Sequence, residues 1–247
     1  MLSARRGPVR FAIQREAGRL DCAGNGGNAM AVGTCSFTAD AGFMDYLVSR
    51  GVRRPSAGDG MTLMAVNVRR DIVEALYSAR YPAPSVDNLI ALTAVGVTGR
   101  YINDLARVGY RPSNLDTLLQ FKAMNITPEF IAGYVRLGYD KIPSEQMVQL
   151  KALDIGAEYV AGFDRIGYGR IDPDELVQLK ALGITPDWVA GFQQLGYRRI
   201  PVGKLVEMKA VGVTPDYVRA LQQGSEEELT PDRLVQLRAI GYRPRTR

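Results

Sequence analysis

Basic side chains recur along this chain at a spacing that could serve an anionic partner. One set, 29 residues apart, is Lys122, Lys151, Lys180, Lys209 and Arg238. A second set follows a recurrent Gly-Tyr pair and comprises Arg111, Lys141, Arg170, Arg198 and Arg199. One cation per repeated unit suits the tracking of a phosphate backbone, and a solvated surface is the alternative. These basic residues form the candidate binding surface.

An aromatic side chain recurs with the same period and could stack on bases or sugar rings. The slot holds Tyr101, Phe130, Tyr159, Trp188 and Tyr217. Aromatic residues at helical spacing also form cores, and that is the interpretation we favour here. The tyrosines of the Gly-Tyr pairs, at the ends of predicted helices, can point either way.

Several familiar catalytic chemistries are excluded by composition. The 247 residues include no histidine, which removes Ser-His-Asp catalysis, Cys-His catalysis and His-ligated zinc. The acids Asp172, Asp174 and Glu175 have the positions of helix caps rather than of an acid–base pair. The Glu226–Glu228 run indicates a solvated turn, with cation binding as the alternative, and Asn25–Asn28 a hairpin turn rather than a phosphate-binding loop. We therefore predict no enzyme, no metal site and no cofactor.

The two cysteines, Cys22 and Cys35, lie in alternating apolar and polar segments. Their spacing does not fit a zinc site. A cross-strand disulfide in an oxidising compartment is one interpretation, and two small buried thiols are the other.

The distribution of charge weakens the hypothesis of nucleic acid binding. The net charge is +5, from 31 basic and 26 acidic residues. Residues 83–223 nevertheless carry fifteen of each sign, so the excess lies at the two ends of the chain. A balanced central segment is not the basic groove that phosphates favour.

The repeated unit predicts two short helices. In the clearest copy, Asp172 and Pro173 begin the first helix and Gly183 ends it, while Thr185 and Pro186 begin the second. Small residues recur on the second helix, at Gly133, Gly162, Gly191 and Ala220, and indicate close approach of a neighbouring helix. Because one such hairpin cannot bury its apolar face alone, the units are expected to stack into an α-solenoid.

The first part of the chain has the period of strands. Alternating apolar residues predict antiparallel strands at about 9–15, 18–23 and 30–37, followed by a helix from Ala41 to Ser49 on which the sheet should pack. We expect a mainly α protein with three parts. These are a β meander plus helix at 1–52, helical repeats at 53–223 that begin with a polar link over 53–60, and a capping half-repeat with a basic tail at 224–247.

The motif Gly-(Val/Ile)-Thr-Pro-x-(Tyr/Phe/Trp)-(Val/Ile), ending in Gly-Tyr, resembles a bacterial helical repeat. Such repeats lie C-terminal to membrane-embedded metallopeptidase domains of the β-lactam-sensor type. A β segment ending Gly-x-Phe-x-Phe often precedes them, and residues 33–37 are similar, with Cys35 in place of an aromatic residue. The resemblance covers about residues 9–242 and implies an accessory, often extracytoplasmic, interaction region. The peptidase motif His-Glu-x-x-His is absent, so that activity is not carried over.

Taken together, the residues predict a non-enzymatic scaffold that binds a protein or peptide along the stacked repeats. Nucleic acid binding through the Lys/Arg row is the alternative. No apolar run is long enough to span a membrane, and no signal peptide is evident at the first residues. An extracytoplasmic location is implied only by the resemblance.

Overall fold

The computed structural model describes residues 7–28, 30–223 and 229–244. Over these residues the protein is mainly helical and begins with one antiparallel sheet of order β1-β2-β3. The elements are β1 (Gly7–Arg15), β2 (Gly18–Gly27), β3 (Met30–Ala39), α1 (Ala41–Ser49), α2 (Ala57–Val66), α3 (Arg70–Ser78), α4 (Val86–Ala94), α5 (Gly99–Arg107), α6 (Leu115–Ala123), α7 (Pro128–Arg136), α8 (Ser144–Ala152), α9 (Ala157–Arg165), α10 (Pro173–Ala181), α11 (Pro186–Gln193), α12 (Val202–Ala210), α13 (Pro215–Gln222) and α14 (Pro231–Ala239). Every helix in the described part of the chain is too short to cross a bilayer.

Contacts divide the chain into two compact units, Met1–Pro128 and Glu129–Arg247. In the first unit α2 packs on α4, α4 on α6, and α3 on α5. In the second unit α8, α10, α12 and α14 contact one another in that order, as do α9, α11 and α13. We call the even-numbered helices from α2 onward the first helices and the odd-numbered ones from α3 onward the second helices.

The helix ends are set by short-range chemistry, as the sequence predicted. Asp172 and Glu175 form the capping box of α10, and the hydroxyl of Thr185 accepts a hydrogen bond from the backbone N–H of Trp188. Gly183, after the end of α10, has a φ of +64°, which glycine adopts without strain. At α9 the cap residue is Gly156, which has no side chain to accept a bond.

Small residues on the second helices allow neighbouring helices to approach. A Cβ atom added at Gly191 would lie 2.7 Å from Cγ of Pro215, the first residue of the next second helix. The same contact recurs between Gly162 and Pro186. The predicted close approach is confirmed for these glycines. Large buried apolar side chains form the core of the second unit, with Phe163 and Phe192 among the largest.

The sheet differs in three ways from the prediction. All three strands are longer, because Asn25–Gly27 continues β2 and pairs with Met30–Val32 instead of forming the turn. The sheet packs mainly against α2 rather than α1, with Phe37 against Gly60. The predicted polar link over 53–60 is shorter, because Ser56 caps α2 and the helix begins at Ala57. The predicted turn at Glu226–Glu228 lies outside the described residues.

The sheet is anchored at the end that meets α2. The Arg15 guanidinium donates hydrogen bonds to the carbonyls of Met64 and Ala65, at the C-terminal end of α2, where the helix dipole favours a cation. The Glu16 carboxylate accepts a bond from the backbone N–H of Arg70. Farther along the sheet a disulfide joins Cys22 to Cys35 across β2 and β3.

Candidate functional site

Each cation of the 29-residue row lies over the aromatic ring of the preceding repeat. The distance from the charged centre to the ring centroid is about the same in every copy. The pairs are Lys122 with Tyr101 at 4.8 Å, Lys151 with Phe130 at 5.0 Å, Lys180 with Tyr159 at 5.0 Å, Lys209 with Trp188 at 5.0 Å and Arg238 with Tyr217 at 4.9 Å. At these distances the negative face of the ring attracts the cation.

Three cations of the row also bond to a helix end. Lys180 donates to the carbonyl of Asp154 at 3.0 Å, Lys209 to that of Gly183 at 3.2 Å, and Arg238 to that of Gly212 at 3.1 Å. Each of these carbonyls follows the first helix of the preceding repeat, where backbone acceptors are unpaired and the helix dipole favours a positive charge. The row cations are half-buried. The row therefore connects consecutive repeats.

The tyrosine hydroxyls connect repeats in the same manner. In the aromatic slot, Tyr101 donates to the carbonyl of Ile126 and Tyr159 to that of Ile184, both at 2.6 Å. The Gly-Tyr tyrosines point inward and reach farther along the chain. They bond as Tyr139 to Ile171 at 2.6 Å, Tyr168 to Ile200 at 2.7 Å and Tyr197 to Leu229 at 2.6 Å. Tyr81, which follows Arg80 rather than a glycine but lies 29 residues before Tyr110, bonds in the same way to the carbonyl of Pro112 at 3.0 Å. Burial raises the pKa of Tyr81 to about 12, so this hydroxyl is a donor throughout the physiological range.

All five residues of the second basic set are exposed, and two of them also contact aromatic rings. Arg111 lies 4.3 Å from the centroid of the Tyr81 ring and donates to two backbone carbonyls, and Arg170 lies 5.1 Å from that of Tyr139. Arg199 borders a shallow pocket with Arg170 and Glu175. Lys141 and Arg198 are exposed.

Another periodic surface lies on the first helices of the second unit, and sequence reasoning missed it. We call Gln149, Gln178, Glu207 and Gln236 the amide row, in which Glu207 is the one carboxylate. We call Leu153, Leu182, Val211 and Ile240 the aliphatic row. Each aliphatic residue lies four positions after its amide-row residue, directly after the last residue of the helix, so the two lie on one side of the helix end. Every member of the amide row is exposed, and the three glutamine amides have no hydrogen-bond partner among the described residues.

Three of the four residues in the aliphatic row are exposed, and Val211 is half-buried. Leu153 is 37% exposed, Leu182 is 38% exposed and Ile240 is 77% exposed. An exposed alanine accompanies each of them one residue earlier. The signal that could have revealed both rows is the motif Gln-x-x-Ala-aliphatic, which recurs in the repeats of the second unit with glutamate at position 207. Packing against the core does not explain why its polar position recurs.

Comparisons with known proteins found no matching family model, no matching curated protein and no matching solved structure. In the described part of the chain, no group of three or more Cys, Asp or Glu side chains is arranged to hold a metal ion. The candidate site is therefore defined by this chain alone: cations that contact rings, three of which also bond to carbonyls, three glutamine amides without a partner among the described residues, and three exposed aliphatic side chains.

Proposed function

We propose that this protein is a non-enzymatic α-solenoid scaffold that binds a protein partner through an extended peptide laid across its first helices. The observation that carries the proposal is the amide row with its adjacent aliphatic row. Periodic side chains that cap helices or pack between them have a structural reason to recur. The glutamine side chains of the amide row have neither role, because they have no hydrogen-bond partner among the described residues, and Leu153, Leu182 and Ile240 are exposed at the ends of their helices. Exposed positions at the ends of the second helices have diverged, as Arg136, Arg165, Gln194 and Gln223 show.

The chemistry of the amide row fits a peptide backbone. A glutamine amide offers both a donor and an acceptor, which match the carbonyl and the N–H of a peptide group. The exposed aliphatic side chains next to each amide would cover apolar side chains of the bound peptide. Hydrogen bonds along a backbone and apolar contacts beside them are the means by which extended peptides are commonly held.

The spacing of the helices also suits an extended peptide. Packed helices lie about 8–10 Å apart. Three residues of a polyproline II segment rise about 9 Å, and three residues of a β-strand about 10 Å. A peptide that crosses α8, α10, α12 and α14 would therefore meet one amide and one aliphatic side chain for every three of its own residues. Its apolar residues are expected at every third position.

One member of the row gives the surface a direction. Glu207 replaces glutamine on α12 and pairs with Lys204, which also contacts Asp232 at 2.7 Å. A carboxylate accepts hydrogen bonds but does not donate them. The peptide is therefore expected to present an N–H donor or a basic side chain to Glu207 on α12. The glutamines on the other three helices can bond to either a donor or an acceptor of the peptide.

The alternative of nucleic acid binding has less support. Phosphate binding needs cations that are free to approach the backbone of the nucleic acid. The row cations lie over rings, and three of them already donate to carbonyls. Moving them to phosphates would cost these bonds and would leave helix-end acceptors unpaired.

A random peptide library displayed on phage, selected against the full chain, tests the proposal. We expect selected peptides to carry apolar residues at every third position. In fluorescence anisotropy titrations, the double variant Gln149→Ala/Gln178→Ala should bind them roughly 5- to 150-fold more weakly, because each of the two lost hydrogen bonds contributes about 0.5–1.5 kcal/mol.

The matched control is Gln194→Ala/Gln223→Ala, which removes two exposed amides from the second helices and should leave binding unchanged. A selection that yields no peptide sensitive to the amide-row variant contradicts the proposal. Binding of mixed single-stranded oligonucleotides at low salt that is lost in Lys180→Met/Lys209→Met would favour the nucleic acid alternative instead.

A further inference from the structure

The two edges of the N-terminal sheet differ in their side chains. The outer edge of β1 contains Pro8 and Arg10, residue types that commonly prevent a further strand from pairing. The outer edge of β3 contains no charged residue and no proline over ten residues, from Met30 to Ala39. Met30 is 73% exposed and Val32 is 79% exposed. Among the described residues, β3 has no strand on its outer side.

The register shows which backbone groups face the open edge. The Cα atoms of Cys22 and Cys35 are 4.1 Å apart, close to the spacing of a pair that exchanges no backbone hydrogen bonds. The N–H and C=O of Cys35 therefore point away from β2. Because this orientation alternates and the register has no bulge, the same holds for Ala31, Gly33 and Phe37.

The same alternation applies to β1. Phe11 pairs with Cys22, whose backbone groups point toward β1, so the residues on either side of Phe11 direct their backbone groups outward. Pro8, Arg10 and Ala12 therefore face the outer edge of β1. Proline has no N–H to donate, so the edge of β1 lacks one donor in addition to carrying a charge.

We propose that β3 is a self-association site, where it pairs antiparallel with β3 of a second copy of this chain. The chemistry needed at the edge is that of an extended strand, because only such a strand offers donors and acceptors in matching alternation. A second copy brings a strand with no charge and no proline, so the pairing places no like charges opposite one another.

The geometry predicts a closed dimer rather than a fibre. A two-fold axis through residue 34 or 35 pairs the outward-facing groups of both copies and keeps the apolar faces of the two sheets on one side. In the part of the chain that the structure describes, one sheet edge has neither proline nor charge, and the pairing uses that edge. The resulting six-stranded sheet ends on both sides at β1, with Pro8 and Arg10.

Sedimentation velocity over a range of concentrations of the full chain tests the proposal. The wild type should form a dimer. Ala31→Pro removes one outward-facing donor without removing a bond between β2 and β3, and should raise the dimer dissociation constant by about tenfold or more. Amide hydrogen exchange at Gly33 and Cys35 should slow as the wild-type concentration rises.

Two control variants make the result specific. Ala12→Pro places proline at the equivalent position of the β1 edge, and Phe11→Ser removes the largest exposed ring of the apolar face; neither should change the dimer. A chain that stays monomeric overturns the proposal, even if β3 pairs with a strand of another protein. A dimer that Ala31→Pro leaves intact, or that either control abolishes, also overturns it. Since the amide row takes no part, peptide binding in the Ala31→Pro variant should equal that of the wild type.

Discussion

The helical repeats of the second unit and the N-terminal sheet differ in where their polar groups find hydrogen-bond partners. In the repeats, hydroxyls and cations donate hydrogen bonds to carbonyls of an adjacent repeat, as Tyr159 and Lys180 do. Each repeat is therefore stabilised by its neighbours. In the sheet, backbone groups pair between adjacent strands, and among the described residues the end that carries Arg15 and Glu16 is hydrogen-bonded to helices. Bonds between consecutive repeats stabilise the helices without using the exposed faces of those helices. Bonds between strands stabilise the sheet but, within the described ranges, leave the outer backbone groups of β3 without a partner strand.

The largest expected difference between the two regions is the cost of losing an aromatic ring. Phe163 is fully buried in the second unit, and Phe163→Ala should lower the free energy of unfolding by about 3–5 kcal/mol. Phe11 in the sheet is 52% exposed, so Phe11→Ala should cost less than about 1 kcal/mol. Urea unfolding followed by circular dichroism measures both. Equal losses would contradict the contrast between a packed stack and an open sheet.

The disulfide provides a test confined to the sheet. Cys22 and Cys35 are 13 residues apart, and a cross-link over a loop of this size contributes about 3 kcal/mol. Reduction should therefore speed amide exchange in β1, β2 and β3 by roughly a hundredfold, while the helices of the second unit stay protected. The double variant Cys22→Ala/Cys35→Ala should behave like the reduced protein. Loss of protection throughout both units would show that the sheet is required for the repeats.

Two glycines of the second unit should respond to alanine with opposite signs. Gly191 faces Pro215 at a distance that a Cβ cannot occupy, so Gly191→Ala should destabilise the protein by about 1–3 kcal/mol. Gly203, in α12, has open space around it, so Gly203→Ala should stabilise by roughly 0.5–1 kcal/mol. Thermal unfolding of both variants measures the difference. A neutral Gly191→Ala would show that the second helices can move apart without cost.

Local signals predicted the helices well because caps act over three or four residues. Thr185 with Pro186, and Asp172 with Glu175, each specify a helix start within the sequence itself. Strand ends were harder, because the glycines at 26 and 27 suggest a turn while their backbones still pair in the ladder. Because glycine has no side chain, its position in the sequence does not distinguish a turn from a paired strand.

The partners of the row cations could not be predicted from the sequence. Lys180 bonds to the carbonyl of Asp154, 26 residues away, and lies over the ring of Tyr159, 21 residues away. Both contacts form only when consecutive repeats pack against each other. Sequence reasoning therefore left solvated charge and anion binding as the alternatives. The recurrence of the amide row is visible in the sequence, but its exposure beside the aliphatic row was not predicted.

The smallest predicted difference, that between Lys180→Met and Lys141→Met, tests whether the Lys180 ammonium stabilises the fold or is only solvated. Lys180→Met keeps the aliphatic stem but removes the ammonium, and should cost about 1–2 kcal/mol through the lost cation–π contact and the lost bond to Asp154. Lys141→Met, at an exposed position, should change stability by less than about 0.5 kcal/mol. Because the partners of Lys180 are a neutral ring and a carbonyl, added salt should leave the difference between the two variants largely unchanged. If Lys180→Met matches Lys141→Met in urea unfolding, the row cation is free to bind an anionic partner, and the structural role of the row is wrong.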